Sequence, residues 1–336
     1  MAAPGEPILG SLYIYAPNKV APVIFTVLYG ISAGGHIWQC YHYKAWRMIG
    51  LHPLCAVVFT AGYALREYGA FNYLYDHSTL NLITFIVSQV LIYVCPPLLE
   101  LSNYHVLGRI LYYVPYFAPF PANRVLSTFG GLMAIVEILN SLGVSLKANP
   151  SSSSNQQHLG GNLTIAAISI QIGIIVIFLI LAGLFHLRCV RANIRPKPII
   201  TPLFVLYASM MLILVRCVYR LVEHLGNTTV DLDSIEKLRA LSPILRYEYY
   251  FYIFESTLMF LNSALWNIWH PGRYLPQNYH IHLAEDGRTE INDEFKDDRP
   301  LLAKAGHVLT FGVFFGKNMK HHRVPHQLNN YPPNSP

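Results

Sequence analysis

Hydrophobic and polar positions in this chain fall in blocks. Seven apolar stretches, each the length of a bilayer crossing, run over Val20–Tyr41, Ile49–Gly69, Leu80–Leu101, Val125–Ser145, Leu163–Phe185, Ile199–Val222 and Glu248–Trp269. A hydrocarbon core about 30 Å thick takes roughly 20 helical residues to cross. Lipid offers no partner to a backbone amide, so each stretch predicts a helix whose hydrogen bonds close within itself. The pattern therefore predicts an all-α polytopic membrane protein with a seven-transmembrane-helix bundle over residues 20–275. A short N-terminal segment (1–19) precedes the bundle, and a polar, largely disordered tail (276–336) follows it. Met1–Asn18 has no basic stretch and no small-residue cleavage site, so the first span is expected to act as its own insertion signal.

Lys and Arg collect in alternate loops. Lys44 and Arg47 follow the first span, Arg109 and Arg124 the third, and Arg188, Arg191, Arg195 and Lys197 the fifth; the tail adds eight more, from Arg273 to Arg323. The opposite loops hold Lys19, Lys147, Lys237, Arg239 and Arg246, the last three offset by Asp231, Asp233 and Glu236. Positive-inside bias then places the N-terminus outside and the C-terminus in the cytoplasm. The glycosylation acceptors Asn162 and Asn227 both fall on the outside in this scheme, and Asn227 is the more accessible by position. Aromatic residues such as Trp38, Trp46, Tyr112, Tyr247 and Trp269 flank the spans as an interfacial belt. Ala148–Gly161 reads as a flexible external loop, Asp231–Leu241 as a short external helix, and Leu301–Phe315 as an apolar interruption of the tail that is too short to span.

Composition agrees with this frame. Charged residues are 12% of the 336, against roughly 25% in ordinary soluble domains, and mean hydropathy is +0.34. The net charge of +6 is spread over loops and tail rather than gathered on one soluble element, which excludes a nucleic-acid partner. Five cysteines lie in or beside spans and indicate no disulfide framework. No span contains lysine, and no Walker A loop, G-x-S-x-G or H-E-x-x-H occurs. Most of the fifteen histidines lie outside the spans. Neither a metal site, a cofactor nor an enzymatic activity is expected.

A charge near the bilayer centre costs on the order of 2.5–3.5 kcal/mol, so each needs a reason. The sixth span carries Arg216, Arg220 and Glu223 at spacings of four and three, hence on one face; the seventh carries Glu248, Tyr252 and Glu255 in the same rhythm. The two run antiparallel, and at roughly 1.5 Å per residue Arg216 and Glu255 reach matching depth. Arg66 and Glu67 lie near the outer end of the second span, and Glu137 lies deeper in the fourth. Charges concentrated in the outer half predict a polar cavity or track for lipid headgroups; the same residues also suit ion pairs that fix helix packing. Cationic headgroups would suit Glu255 and Glu137, and anionic ones the arginines. Elsewhere, Gly30 and Gly34 predict close helix packing and Pro96-Pro97 a kink. His36, Gln39 and Gln171 read as satisfied interior groups, and the uncharged fifth span as peripheral and lipid-facing.

Several ordered motifs resemble the fungal RTA-like seven-span family, associated with 7-aminocholesterol resistance and sphingoid long-chain-base release and also called lipid-translocating exporters. They are Tyr15-Ala16-Pro17, Pro96-Pro97 with Tyr104 and Gly108-Arg109, Arg216-x-x-Tyr219-Arg220-x-x-Glu223, Glu248-x-x-x-Tyr252-x-Phe254-Glu255, and His270-Pro271-Gly272. Glu100, Ser102 and Asn103 depart from the smaller, more apolar pattern of that family. The resemblance implies translocation or export of amphiphilic lipids, or tolerance of toxic lipophiles. Membrane lipids or amphiphilic small molecules are thus the expected partners, and the plasma membrane the expected location. A receptor-like lipid sensor without transport is the alternative.

Overall fold

The computed structural model describes residues 5–75, 79–148, 154–192, 197–226, 234–284, 289–293 and 323–326. Asn227, the apolar interruption over Leu301–Phe315 and residues 294–298 of the acid-rich stretch lie outside them. Long helices dominate: α1 (Ala21–His42), α2 (Leu51–Phe71), α3 (Thr79–Tyr113), α4 (Ala122–Ala148), α5 (Ser154–Arg191) and α6 (Lys197–Leu225). The last, α7, is continuous but composite, made of Glu248–Phe251, a π-helical turn over Tyr252–Thr257, and Leu258–Ile268. Of these, α1, α3, α4, α5 and α6 are long and apolar enough to cross a membrane. The α2 helix carries His52, Arg66 and Glu67 among its 21 residues, and the longest piece of α7 has 11. The chain is a helical, polytopic integral membrane protein.

Helices adjacent in sequence pack side by side, α7 returns against α1, and α3 also touches α6, which closes the bundle. Its outer surface is apolar, with Ile31, Ile138, Ile177 and Phe204 more than half exposed, while Arg66, Glu100, Arg216 and Glu255 are buried. That inversion of a soluble core is what lipid as a solvent demands. One end of the bundle carries Ala21, Leu225 and Glu248; the other carries His42, Leu51 and His270. At the Glu248 end, Asn18 Oδ1 accepts from the N–H groups of Val20 and Ala21, which start α1 with Pro22 in the first turn. At the other end Lys44 adopts a left-handed φ of 52°, which reverses the chain after α1.

Three expectations change. Helix α3 passes through Pro96-Pro97 unbroken and continues to Tyr113, twelve residues beyond the expected end at Leu101. Packing of Pro96, Leu99, Glu100, Ser102 and Asn103 in the interior holds it helical, because neighbouring helices compensate for prolines within a membrane bundle. Helix α5 begins at Ser154, so the expected loop over Ala148–Gly161 is partly helix. The close helix contacts are not at Gly30 or Gly34: a Cβ at Gly34 would meet nothing within 4 Å, and one at Gly30 only the Thr60 methyl at 3.9 Å. They are at Gly62, against Ile92 (2.9 Å), and at Gly143, against Thr164 and the Gly160 carbonyl (2.8 Å). The uncharged span within α5 packs one face on α4 and α6, burying Ala167, Ile175, Phe178, Ala182 and Phe185 completely, and turns Ile170, Ile177, Ile180 and Leu187 outward, as a peripheral, lipid-facing helix should.

The segment after α7 is ordered where it is described. Strands β1 (Ile281–Leu283), β2 (Glu290–Asp293) and β3 (Arg323–His326) form an antiparallel sheet in that order, with His282 opposite Ile291 and Ile291 opposite Pro325. Arg109, near the end of α3, donates to the carbonyls of Pro276 (3.2 Å), Asn278 (2.9 Å), Tyr279 (3.4 Å) and Ile281 (3.4 Å). One guanidinium thus ties the start of the tail to the bundle, and Tyr113 adds a hydrogen bond to Glu290 at 2.7 Å. At the opposite end the N-terminal segment folds over the bundle, with Leu12 N–H donating to Tyr73 (2.9 Å) and the Tyr13 ring edge-on to Phe85. Within the stretch Asp231–Leu241, where a short helix is expected, Ile235–Arg239 is helical.

Candidate functional site

Arg66, Tyr252 and Glu248 come together at the Glu248 end. Arg66 is 1% exposed. Its Nη2 lies 3.2 Å from Glu248 Oε1 and 3.2 Å from the Tyr15 hydroxyl, and its Nε lies 3.3 Å from the Tyr252 hydroxyl. The guanidinium also sits over the Phe251 ring at 4.1 Å, a cation–π contact strengthened by exclusion of water. Burial, opposed by the Arg66 charge, pushes the Tyr15 phenol far above its ordinary range, so it accepts from Arg66 as a neutral hydroxyl. The other Glu248 oxygen accepts from the Asn18 N–H at 2.7 Å. Beside this pair opens a cleft of about 330 Å³ lined by Tyr15, Asn18, Arg246, Glu248, Tyr249 and Tyr252, among others.

Deeper in, Arg216 Nε donates to both Glu255 oxygens, at 2.8 and 3.0 Å. Nine residues separate Arg216 from the end of α6 at Leu225, and seven separate Glu255 from the start of α7 at Glu248. At 1.5 Å per residue those depths are about 13 and 10 Å, so the expected match in level holds. The π-helical turn over Tyr252–Thr257 contains Glu255 and Ser256, both wholly buried. Such turns insert one extra residue and re-aim side chains, and they concentrate at functional sites. Ser256 accepts from the Tyr63 hydroxyl (2.6 Å) through Oγ and from the Tyr29 hydroxyl (3.0 Å) through its carbonyl. Phe25, Tyr63 and Tyr252 stack nearby, with Phe25 and Tyr252 nearly parallel at 5.6 Å. Arg220 pairs with Glu223 at 2.6 Å and lies over the Tyr93 ring at 4.4 Å.

Glu67 and Glu137 are not drawn into these pairs. Glu67 is half-buried, with Oε2 unpartnered among the described residues, and Glu137 is half-buried on α4. Asn162 is exposed but lies within α5, and the Thr164 of its acceptor triplet is buried with its hydroxyl given to the Gly160 carbonyl (3.1 Å). His36 and Gln39 each bond to α7 yet leave one polar atom unpartnered, so they are only partly satisfied; Gln171 is satisfied by Glu100.

Sequence reasoning missed a second polar network below these ion pairs. Glu100 is completely buried and accepts from the Tyr104 hydroxyl and, at 2.7 Å, from Gln171 Nε2. Asn103 Nδ2 donates to Ser209 (2.8 Å), Ser209 donates to Asn262 Oδ1 (2.6 Å), and Trp266 Nε1 donates to Ser209 (3.0 Å). Their signal was present as polar residues within apolar runs. Ending the third span at Leu101 assigned Glu100 and Asn103 to a membrane surface, where polar residues need no explanation.

A family model described as RTA1-like protein matches residues 53–278. A lipid-translocating exporter-like protein RTA1 of Leptosphaeria maculans is 51% identical over 335 residues, covering 98% of this chain and 64% of the relative. The chain thus spans slightly less than two thirds of that protein's length. A probable lipid transporter, atnI, of Emericella nidulans is 25% identical over 292 residues, covering 79% of this chain and 69% of the relative. Protein RTA1 of Saccharomyces cerevisiae is 25% identical over 276 residues, 74% of this chain and 81% of the relative. No solved structure matches.

Proposed function

The chain belongs to the RTA1-like family, and from that premise we propose that it translocates or exports amphiphilic lipids. Sphingoid long-chain bases, sterol-like molecules and other toxic lipophiles are the substrates, and their removal gives stress or drug tolerance. In this reading all seven long helices cross the bilayer, with the N-terminus and the Glu248 end outside, the tail in the cytoplasm, and the protein in the plasma membrane. The names of the relatives support the lipid class. The positive charge of alternate loops supports the orientation.

One observation carries the proposal: two buried ion pairs lie towards the same end of the bundle, Arg66–Glu248 beside the cleft and Arg216–Glu255 seven residues deeper along α7. Intramembrane ionisable groups that face the bundle interior mark substrate pathways. Arg66–Glu248 and Arg216–Glu255 each present both signs, so a zwitterionic or charged headgroup meets a counter-charge at two levels. The aromatic stack of Phe25, Tyr63 and Tyr252 between them suits a cationic amine or an alkyl chain.

The test is transport by the purified protein in lipid vesicles. Movement of a labelled sphingoid base between leaflets, above that in protein-free vesicles, is the expected result. Absence of transport together with ligand-dependent recruitment of a cytoplasmic partner would replace this reading with the sensor.

A further inference from the structure

Towards the His270 end the interior holds polar groups of a different kind. His36 and His52, on α1 and α2, are 0% and 1% exposed, with ring centroids 5.3 Å apart; the His52 ring lies 5.7 Å from that of Trp266 on α7. Both ring nitrogens of His52, Nδ1 of His36 and Nδ2 of Asn262 have no hydrogen-bond partner among the described residues, although each side chain is buried. The remaining atoms are tied down: His36 Nε2 meets the Ser263 carbonyl at 3.1 Å, and Asn262 Oδ1 accepts from Ser209 at 2.6 Å. The His36 ring and the Asn262 amide are therefore positioned by hydrogen bonds and the His52 ring by its contacts with His36 and Trp266, and what they leave free is a set of donors and acceptors. A buried polar group without a partner costs about 1–3 kcal/mol, so the free nitrogens of the adjoining His36 and His52 rings call for a partner.

We infer that His36, His52 and Asn262 form a second site, which takes an uncharged lipid hydroxyl. A neutral imidazole offers one donor and one acceptor, and Nδ2 of the amide is a donor; a hydroxyl can donate to a free imidazole nitrogen while it accepts from an N–H. An ammonium group would find no carboxylate among these residues, and a phosphate no guanidinium. Charged headgroup chemistry belongs instead to Arg216–Glu255, seven residues nearer the other end on both α6 (from Ser209) and α7 (from Asn262). A lipid carrying a charge at one position and a hydroxyl at another would meet both sites. This inference rests on the reading that the chain handles amphiphilic lipids and names the hydroxyl as the feature it recognises.

The probe is tritiated hexadecanol bound to the purified full chain in phosphatidylcholine nanodiscs, counted against protein-free nanodiscs. Unlabelled hexadecanol and its methyl ether, which accepts a hydrogen bond but cannot donate one, serve as competitors. The expected result is competition about tenfold weaker by the ether, the scale of one buried hydrogen bond. His52→Phe, which keeps a ring against Trp266, should bind the alcohol no better than the ether. Equal competition by ether and alcohol in the unmodified protein overturns the site, as does unchanged discrimination in His52→Phe. Discrimination in a protein that moves no lipid in vesicles upholds the site while defeating the transport reading, so the two failures are separable.

Discussion

Arg216 and Glu255 sit where a lone charge is least tolerated, and their geometry shows why both are present. Removing one member of a buried pair leaves the other desolvated and uncompensated, at a cost of about 3–5 kcal/mol, whereas replacing both by apolar residues of similar volume is often neutral. Glu255→Gln should therefore lower the melting temperature markedly, and the Arg216→Met, Glu255→Met double variant should recover most of it; fluorescence-monitored melting in detergent checks both. His270 supports a prediction in pH. It is wholly buried after α7, accepts from the Gly272 N–H at 3.1 Å, and burial, reinforced by Arg273, lowers its pKa from 6.5 to about 4. The folded protein thus favours neutral His270, and that contribution is complete above pH 6.5 and is lost as the pH falls towards 4. Melting measured across this window should show a decline that is shallower in His270→Asn, whose side chain can still accept from Gly272. At this scale the charges on α6 and α7 were legible because spacings of three and four on two antiparallel helices fix face and depth together. His52 and Asn262 were not, because one neutral polar residue in an apolar run says nothing about what lies across from it.

The helices were legible as blocks of hydrophobicity, but their ends were not. Helix α3 outruns its apolar stretch by twelve residues and α5 starts nine residues before its own, because interior packing and helix pairing carry a helix past the point where composition turns polar. Close approach was misplaced for a related reason. A small-residue spacing marks a surface that could pack closely, and the structure makes that approach at Gly143 and Gly62 instead of Gly30 and Gly34. Gly143→Val should push α4 off Gly160 and Thr164 and destabilise by about 1–3 kcal/mol, while Gly34→Ala should change melting little. The sheet after α7 could not be read at all, since its strands are only three or four residues long and one arginine holds the segment that leads into them. Arg109→Leu frees the four carbonyls of residues 276–281. Limited proteolysis should then cut after Pro276 several-fold faster, with the bundle core intact.

Across the whole molecule the polarity is graded: ion pairs near Glu248, an amide–hydroxyl network around Ser209, and imidazoles towards His270. The orientation proposed for that gradient predicts a glycan on Asn227, seen as a gel shift that endoglycosidase treatment and Asn227→Gln both abolish. The central claim is that opposite charges on α6 and α7 form a route for polar headgroups rather than a clamp for the helices. The most direct measurement is sphingoid-base transport in vesicles by the Arg216→Met, Glu255→Met double variant, prepared alongside the unmodified protein and matched to it in melting temperature. A route predicts that the well-folded variant transports at no more than about a tenth of the original rate, as expected where intramembrane charges serve a pathway. Transport at the original rate by the same variant would show that the pair only holds the bundle together.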